Sequence, residues 1–337
     1  MRPIDEIKSC DLSGFEDEYL STQTPVVIRG LVADWPILAD SPADALEKLR
    51  DLGRDERPGR IRVVEAPAKE RGRIGYSQQS GRLNFSRKDM AFAAFVEKLE
   101  QLVPLDSVMV LALQSTFIDE IFPKLANRLT MPLFDPAVRP RIWIGNQGSV
   151  GAHFDDADNI ACVAMGRRRF TLFPTGQIEN LYIGPIDHTP AGAPTTLMGI
   201  EPDLARYPKF SKAHTAAQFA ELRPGDAIFI PTLWWHQVEA LSDINVLVNY
   251  WQGGAIGGDS GADSVFDALL HALLATHALS PEKLKAWSEI FDYLVFRKSG
   301  NPAEHIPANM RGVLGGVTEI HRRQLKTYLS ARLNPDE

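Results

Sequence analysis

Apolar and polar positions divide the chain into three stretches of different period. In the first, Pro25-Val26-Val27-Ile28-Arg29-Gly30 is a β-branched run closed by glycine, which predicts a strand. Ser41-Pro42 followed by Ala43 to Leu52 supplies an N-cap, a proline at the first helical position and helical apolar spacing. Ser86 to Leu99 repeats that design and predicts a second helix, with Met90, Phe92, Phe95, Val96 and Leu99 on one face. The middle stretch changes period. Ile142-Trp143-Ile144, Ile160 to Met165, Phe170 to Phe173, Ala227 to Ile230 and Ile244 to Trp251 are short apolar or alternating runs punctuated by Gly, Pro, Asn and Asp. Many short strands without long alternating helices predict an antiparallel sandwich or barrel, not a βαβ sheet. After Asp263 the helical period returns: Val265 to Leu279, Ser280-Pro281-Glu282 through Arg297, and Val317 to Leu329. Val265 to Leu279 is apolar around nearly its whole circumference, so it must be covered on all sides, and a second copy of the chain is the expected cover.

Composition narrows the class. The 337 residues are 44% hydrophobic and 23% charged, values of an ordinary globular protein that exclude disorder. No apolar run approaches the ~20 residues that span a bilayer, and MRPIDEIKSCDLSG lacks the apolar stretch of a secretory signal. Two cysteines, Cys10 and Cys162, build neither a disulfide framework nor a Cys-rich zinc site. A soluble, cytoplasmic protein with no membrane partner is expected. The net charge of −7 argues against a general nucleic-acid binder. One local exception is Arg50 to Arg73, where eight basic residues face five acidic ones; it is read as a solvated loop in preference to a phosphate-binding patch.

Of eight histidines, two have surroundings that point to chemistry. In His153-Phe154-Asp155, an extended backbone would project the imidazole and the carboxylate to one face while Phe154 points away. His236 closes Phe229-Ile230-Pro231-Thr232-Leu233-Trp234-Trp235-His236, after the turn signal Arg223-Pro224-Gly225-Asp226. Two His and one carboxylate on one face form the triad of non-haem Fe(II) oxygenases, which leaves positions open for a bidentate cosubstrate and dioxygen. A bare H-x-D is a weak signal; joined to a Trp-Trp-His segment 83 residues later in an all-β region, it becomes strong. Asp156 and Asp158 have the opposite parity and are read as rim residues.

From Pro25 to about Trp251 the chain resembles the cupin-like JmjC family, relatives of the asparaginyl hydroxylase that modifies the hypoxia-inducible factor. The pieces that carry the resemblance are Pro25 to Gly30, His153-Phe154-Asp155, Phe173-Pro174 running to Leu181-Tyr182, Arg223 to Asp226, Trp234 to Leu241, and Val248-Asn249-Tyr250-Trp251. The resemblance implies a mainly β protein with added helices: a double-stranded β-helix (cupin, jelly-roll) core over 131–256, N-terminal α/β elements over 1–130 and a C-terminal helical region over 257–337 that forms a homodimer. It implies an Fe(II)- and 2-oxoglutarate-dependent oxygenase with His153, Asp155 and His236 as metal ligands and catalytic centre. Where relatives carry a lysine for the distal carboxylate of 2-oxoglutarate, this chain has Arg168, whose fork also suits a carboxylate. Asn159 and Asn249 match polar cosubstrate-pocket positions, while Val150 and Ala112 stand where relatives have threonine and tyrosine. Gln114, Trp234 and Trp251 are candidates for the border of the substrate channel. The expected activity is hydroxylation of a protein side chain or a small molecule. The alternatives are a tRNA-base hydroxylase and a metal-binding cupin-like protein without oxygenase activity.

Overall fold

The structure is a computed structural model that describes residues 1–54, 60–77, 82–103, 105, 109–190, 192–199, 202–254 and 264–333. It divides into two compact units, Met1–Ala262 and Asp263–Glu337. In the first, β1 (Arg2–Pro3), β2 (Glu6–Lys8) and β3 (Val26–Arg29) precede helix α1 (Pro42–Arg54). Next come β4 (Ile61–Ala66), β5 (Arg73–Ile74), β6 (Ser86–Met90), helix α2 (Phe92–Leu102) and β7 (Val110–Phe117). Two single turns, α3 (Ile118–Ile121) and α4 (Pro123–Ala126), lead to β8 (Arg141–Gly145), β9 (Gly148–His153), β10 (Asp158–Met165) and β11 (Arg168–Phe173). Helix α5 (Phe210–Ala216), β12 (Gln218–Leu222), β13 (Ala227–Ile230), β14 (Trp235–Ala240) and β15 (Asn245–Gln252) complete the unit.

The strands form two sheets, β1-β12-β11-β14-β9-β5 and β2-β3-β13-β10-β15-β8-β7-β4-β6. Their shared core is a jelly roll in which β9, β14, β11 and β12 face β8, β15, β10 and β13. Phe170, Leu172, Ala220 and Leu222 of one sheet pack with Ala161, Val163, Ile228, Ile230 and Leu247 of the other. Strand β10 is buried on both faces because its outer residues, Ile160, Cys162 and Ala164, meet the helices. Those helices present Ala45, Leu46 and Leu49 from α1 and Phe92, Phe95, Val96 and Leu99 from α2, the apolar faces read from the sequence. The Ser41 hydroxyl caps α1 by accepting from the Asp44 amide at 3.2 Å. Gly166, with φ +70°, turns the chain from β10 in one sheet to β11 in the other, and a Cβ there would overlap the Ile244 carbonyl oxygen.

Ser86 to Met90 departs from the helical expectation. It is β6, an exposed edge strand paired antiparallel with β4, and the helix starts only at Phe92. A charged edge strand carries no apolar alternation, so the helical face of the following residues masks it. The N-terminal elements also share the unit and the sheet of the jelly-roll strands, since β7, β4 and β6 continue outward from β8. In β1, β2 and the intervening Ile4, one short segment pairs parallel with β12 of the first sheet and with β3 of the second, and Ile4 is buried between them.

The second unit contains α6 (Val265–Thr276), α7 (Pro281–Leu294) and α8 (Glu319–Leu333). Ser264 and Ser280 cap the first two by accepting from Asp267 and Lys283 amides. None of the three helices has a buried residue.

Candidate metal and cosubstrate site

His153 ends β9, and its cross-strand partner is His236 near the start of β14, so strand register alone brings the imidazoles together. The ring centroids lie 4.3 Å apart. Each Nδ1 sits against a carbonyl oxygen two residues earlier in the chain, Gly151 at 2.9 Å and Trp234 at 3.0 Å. A carbonyl only accepts, so both Nδ1 atoms carry the proton and both Nε2 atoms present lone pairs. Burial, with the neighbouring His153, pushes His236 down to about 4 and keeps it in the neutral form that a metal needs. Asp155 follows two residues after His153, while Phe154 turns away to stack edge-on against Trp235 at 5.0 Å. The ligand-capable atoms of His153, Asp155 and His236 all lie within 4.8 Å of one another.

The carboxylate is aimed by its neighbours. Asp155 Oδ2 accepts from Asn159 Nδ2 at 3.2 Å and from Trp251 Nε1 at 3.1 Å, and lies 3.6 Å from His236 Nε2. Asn249 Nδ2 in turn donates to Asn159 Oδ1 at 2.8 Å, so the two asparagines of β10 and β15 form a relay behind Asp155. The loop before His236 is pinned from the same side. Asp158 Oδ1 accepts from the Thr232 amide at 2.9 Å and its hydroxyl at 3.0 Å. The Leu233 amide donates to the Asp155 carbonyl at 2.9 Å, which holds Leu233 at φ +64°, an uncommon conformation for leucine. Asp158, read from parity as a rim residue, is therefore the anchor of the segment that delivers His236.

Arg168 pairs with Ala240, Phe170 with Val238 and Leu172 with His236, which places all of them on the inner face of the barrel. Four residues of strand separate Arg168 from the level of His236, about 13 Å along the backbone. The Arg168 Nε is buried without a hydrogen-bond partner, and burial lowers the guanidinium to about 10. Asn249 Oδ1 is likewise buried and unpartnered. Two imidazole lone pairs and a carboxylate thus converge, with Arg168, ion-paired to no carboxylate among the described residues, further along the same sheet, a donor set that fits a divalent metal and an anionic chelator. Val150 and Ala112 do not reach into this polar set; both pack against Val64, Ala66, Ile74 and Val110. Trp234 packs on the barrel core, and Gln114 lies in the irregular stretch of β7 between Leu113 and Thr116.

The basic segment from Arg50 to Arg73 is not a single loop. It includes the end of α1 and β4, and residues 55–59 lie outside the described residues. Arg50 pairs with Glu100, Arg54 with Asp51 and Arg62 with Asp89, which neutralises much of its charge. Among the described residues, no helix is long and apolar enough to cross a membrane.

A jelly roll that presents a His, Asp, His cluster from one of its two facing sheets defines a recognisable class of protein. The cupin-like domain family matches residues 12–252, and the chain belongs to that family, in its JmjC-type branch. It is 26% identical over 256 residues to lysine-specific demethylase 8 of Xenopus tropicalis, covering 74% of this chain and 52% of that protein. It is 34% identical over 112 residues to human HSPB1-associated protein 1, covering 33% of this chain and 22% of the relative. A third similarity, 35% over 111 residues, is to lysine-specific demethylase JMJ31 of Arabidopsis thaliana, covering 32% of this chain and 20% of that protein. The chain thus spans about half the length of the first of these relatives and far less of the others.

Proposed function

We propose that the protein is an Fe(II)- and 2-oxoglutarate-dependent oxygenase that hydroxylates a C–H bond of a protein side chain or a small molecule, in a reducing cytoplasmic setting. The observation that carries this reading is the convergence of two imidazole Nε2 atoms and the Asp155 carboxylate, with the buried, unpartnered Nε of Arg168 further along the same sheet. His153, Asp155 and His236 would hold the metal. When bound, iron with 2-oxoglutarate and dioxygen supplies the oxidising chemistry, with 2-oxoglutarate leaving as succinate and carbon dioxide. The chain's own residues do the rest. Gly151 and Trp234 carbonyls fix the imidazole tautomers, Asn159 and Trp251 orient Asp155, and Arg168 receives the distal carboxylate of the cosubstrate by charge-assisted hydrogen bonds. Phe170, Leu172 and Leu247 fill the barrel interior with apolar side chains.

Calorimetric titration with Mn(II), then with 2-oxoglutarate, tests the site without a known substrate. Wild-type protein should bind both in sequence, His153→Ala and His236→Ala should lose the metal, and substrate-free incubation with iron should release succinate slowly. Retention of metal by both variants, or failure of the metal-loaded protein to bind 2-oxoglutarate, would overturn the reading.

A further inference from the structure

Arg141 opens β8 on the same inner face as Trp143, with Asn249 as its partner on one side and Phe117 on the other. Its guanidinium carbon lies 4.0 Å from the centroid of the Phe117 ring and 5.2 Å from that of Trp251. The geometry is built by an irregularity: β7 carries one extra residue between Leu113 and Thr116, and Ser115 stands there at φ +47°. Ser115 Oγ accepts from Arg141 Nη1 at 3.1 Å. That is one acceptor for a group with five N–H donors. Among the described residues no carboxylate lies within ion-pair distance of Arg141; burial and the like charge of Arg139 weaken its hold on a proton, and the more distant Glu120 offsets them only in part. Arg139 packs on the same Phe117 ring at 3.8 Å but is exposed and already bridged to Asp119 and Glu120.

Arg139, Phe117, Arg141, Trp251 and Asp155 therefore form a continuous chain of side-chain contacts from an exposed arginine to the His, Asp, His cluster. At its solvent end the cation is satisfied. At its inner end, one indole ring from Asp155, the cation has stacking partners and, among the described residues, no ion-paired carboxylate. The cosubstrate is an unsuitable partner, because the cation proposed for it, Arg168, stands on the opposite sheet.

We propose that Arg141 is a specificity-determining residue that receives an anionic group, carboxylate or phosphate, of the primary substrate, and that the substrate class is therefore acidic at or next to the oxidised carbon. This rests on the oxygenase reading for the word substrate, but the anion site can be tested apart from it. Protein loaded with Mn(II), with and without 2-oxoglutarate, is titrated with three capped amino acids: N-acetyl aspartate methylamide, its neutral asparagine isostere, and N-acetyl phosphoserine methylamide. Saturation-transfer NMR reads affinity. At least one charged probe should bind about tenfold or more tightly than the neutral one, as expected for a charge-assisted pair; which one it is separates the two anion sources. Arg141→Met should erase that preference while retaining 2-oxoglutarate affinity, and Arg141→Lys should retain part of it. Circular dichroism confirms folding, and Arg141→Gln replaces the methionine variant if that one unfolds. Equal binding of charged and neutral probes, a preference that survives Arg141→Met, or loss of 2-oxoglutarate binding in that variant would each overturn the proposal. Failure of wild type to bind 2-oxoglutarate would instead defeat the oxygenase reading, with the charge preference still scored on the metal-only protein.

Discussion

Trp251 combines two jobs in one side chain, with its ring face against Arg141 and its Nε1–H on Asp155 Oδ2. Replacing it with phenylalanine should keep much of the packing and remove the donor that aims the carboxylate. A ten- to hundredfold loss of Mn(II) affinity is expected, as is usual when an outer hydrogen bond to a metal ligand is removed, and calorimetry measures it. Arg168→Met should leave metal affinity near wild type and weaken 2-oxoglutarate by roughly tenfold to hundredfold, from the loss of about 1.5–3 kcal/mol. An unchanged 2-oxoglutarate titration would place the carboxylate elsewhere. These residues differ in how legible they were. His153 and Asp155 can be matched from spacing alone, because i and i+2 share a face in extended chain. His236 needs only the Trp-Trp-His segment and an all-β setting. The position of Arg168 came through resemblance, and its inward direction follows from alternation with Phe170 and Leu172. Arg141 escaped, although it alternates with Trp143 against Ile142 and Ile144, because its setting depends on the extra residue in β7, which sequence spacing does not reveal.

Among elements, the long apolar strands and the capped helices were readable, and the quiet strands were not. Strand β9, Gly148 to His153, is rich in glycine, and β6 is charged and lies at an edge, so neither carries the alternation that marks a half-buried strand. The turn at Gly166 is where element geometry is most tightly constrained. Gly166→Ala would need left-handed backbone and would drive a methyl group into the Ile244 carbonyl. A loss of about 1–3 kcal/mol is expected from the backbone strain alone, read as a lower denaturation midpoint. Because β10 carries Asn159 and β11 carries Arg168, the same variant should also weaken 2-oxoglutarate binding. A midpoint equal to wild type would show that the loop relaxes freely.

The helical unit raises the question of association. Val265 is 82% exposed and Leu274 64%, and Leu269, Leu273, Trp287, Ile290 and Phe296 are exposed as well. So many uncovered apolar side chains are unusual for a monomer in water, and we propose that a second copy covers α6 and α7 about a two-fold axis. Light scattering should give about twice the 37.4 kDa chain mass, and Leu269→Glu with Leu273→Glu should return it to one. A wild-type mass of a single chain at micromolar concentration would sink this proposal.

The short stretch formed by β1, Ile4 and β2 lies at the border of both sheets at once, beside β12 and beside β3. It therefore acts as a guard against cross-molecular strand pairing as well as a part of the core. Proteolytic removal of residues 1–9 would bare two rows of unpaired amides and carbonyls in a single cut, together with the apolar socket of Ile4. The trimmed protein should thus be lost first to clumping, with turbidity rising under mild warming while the His153, Asp155 and His236 cluster, built from strands far along the chain, remains assembled.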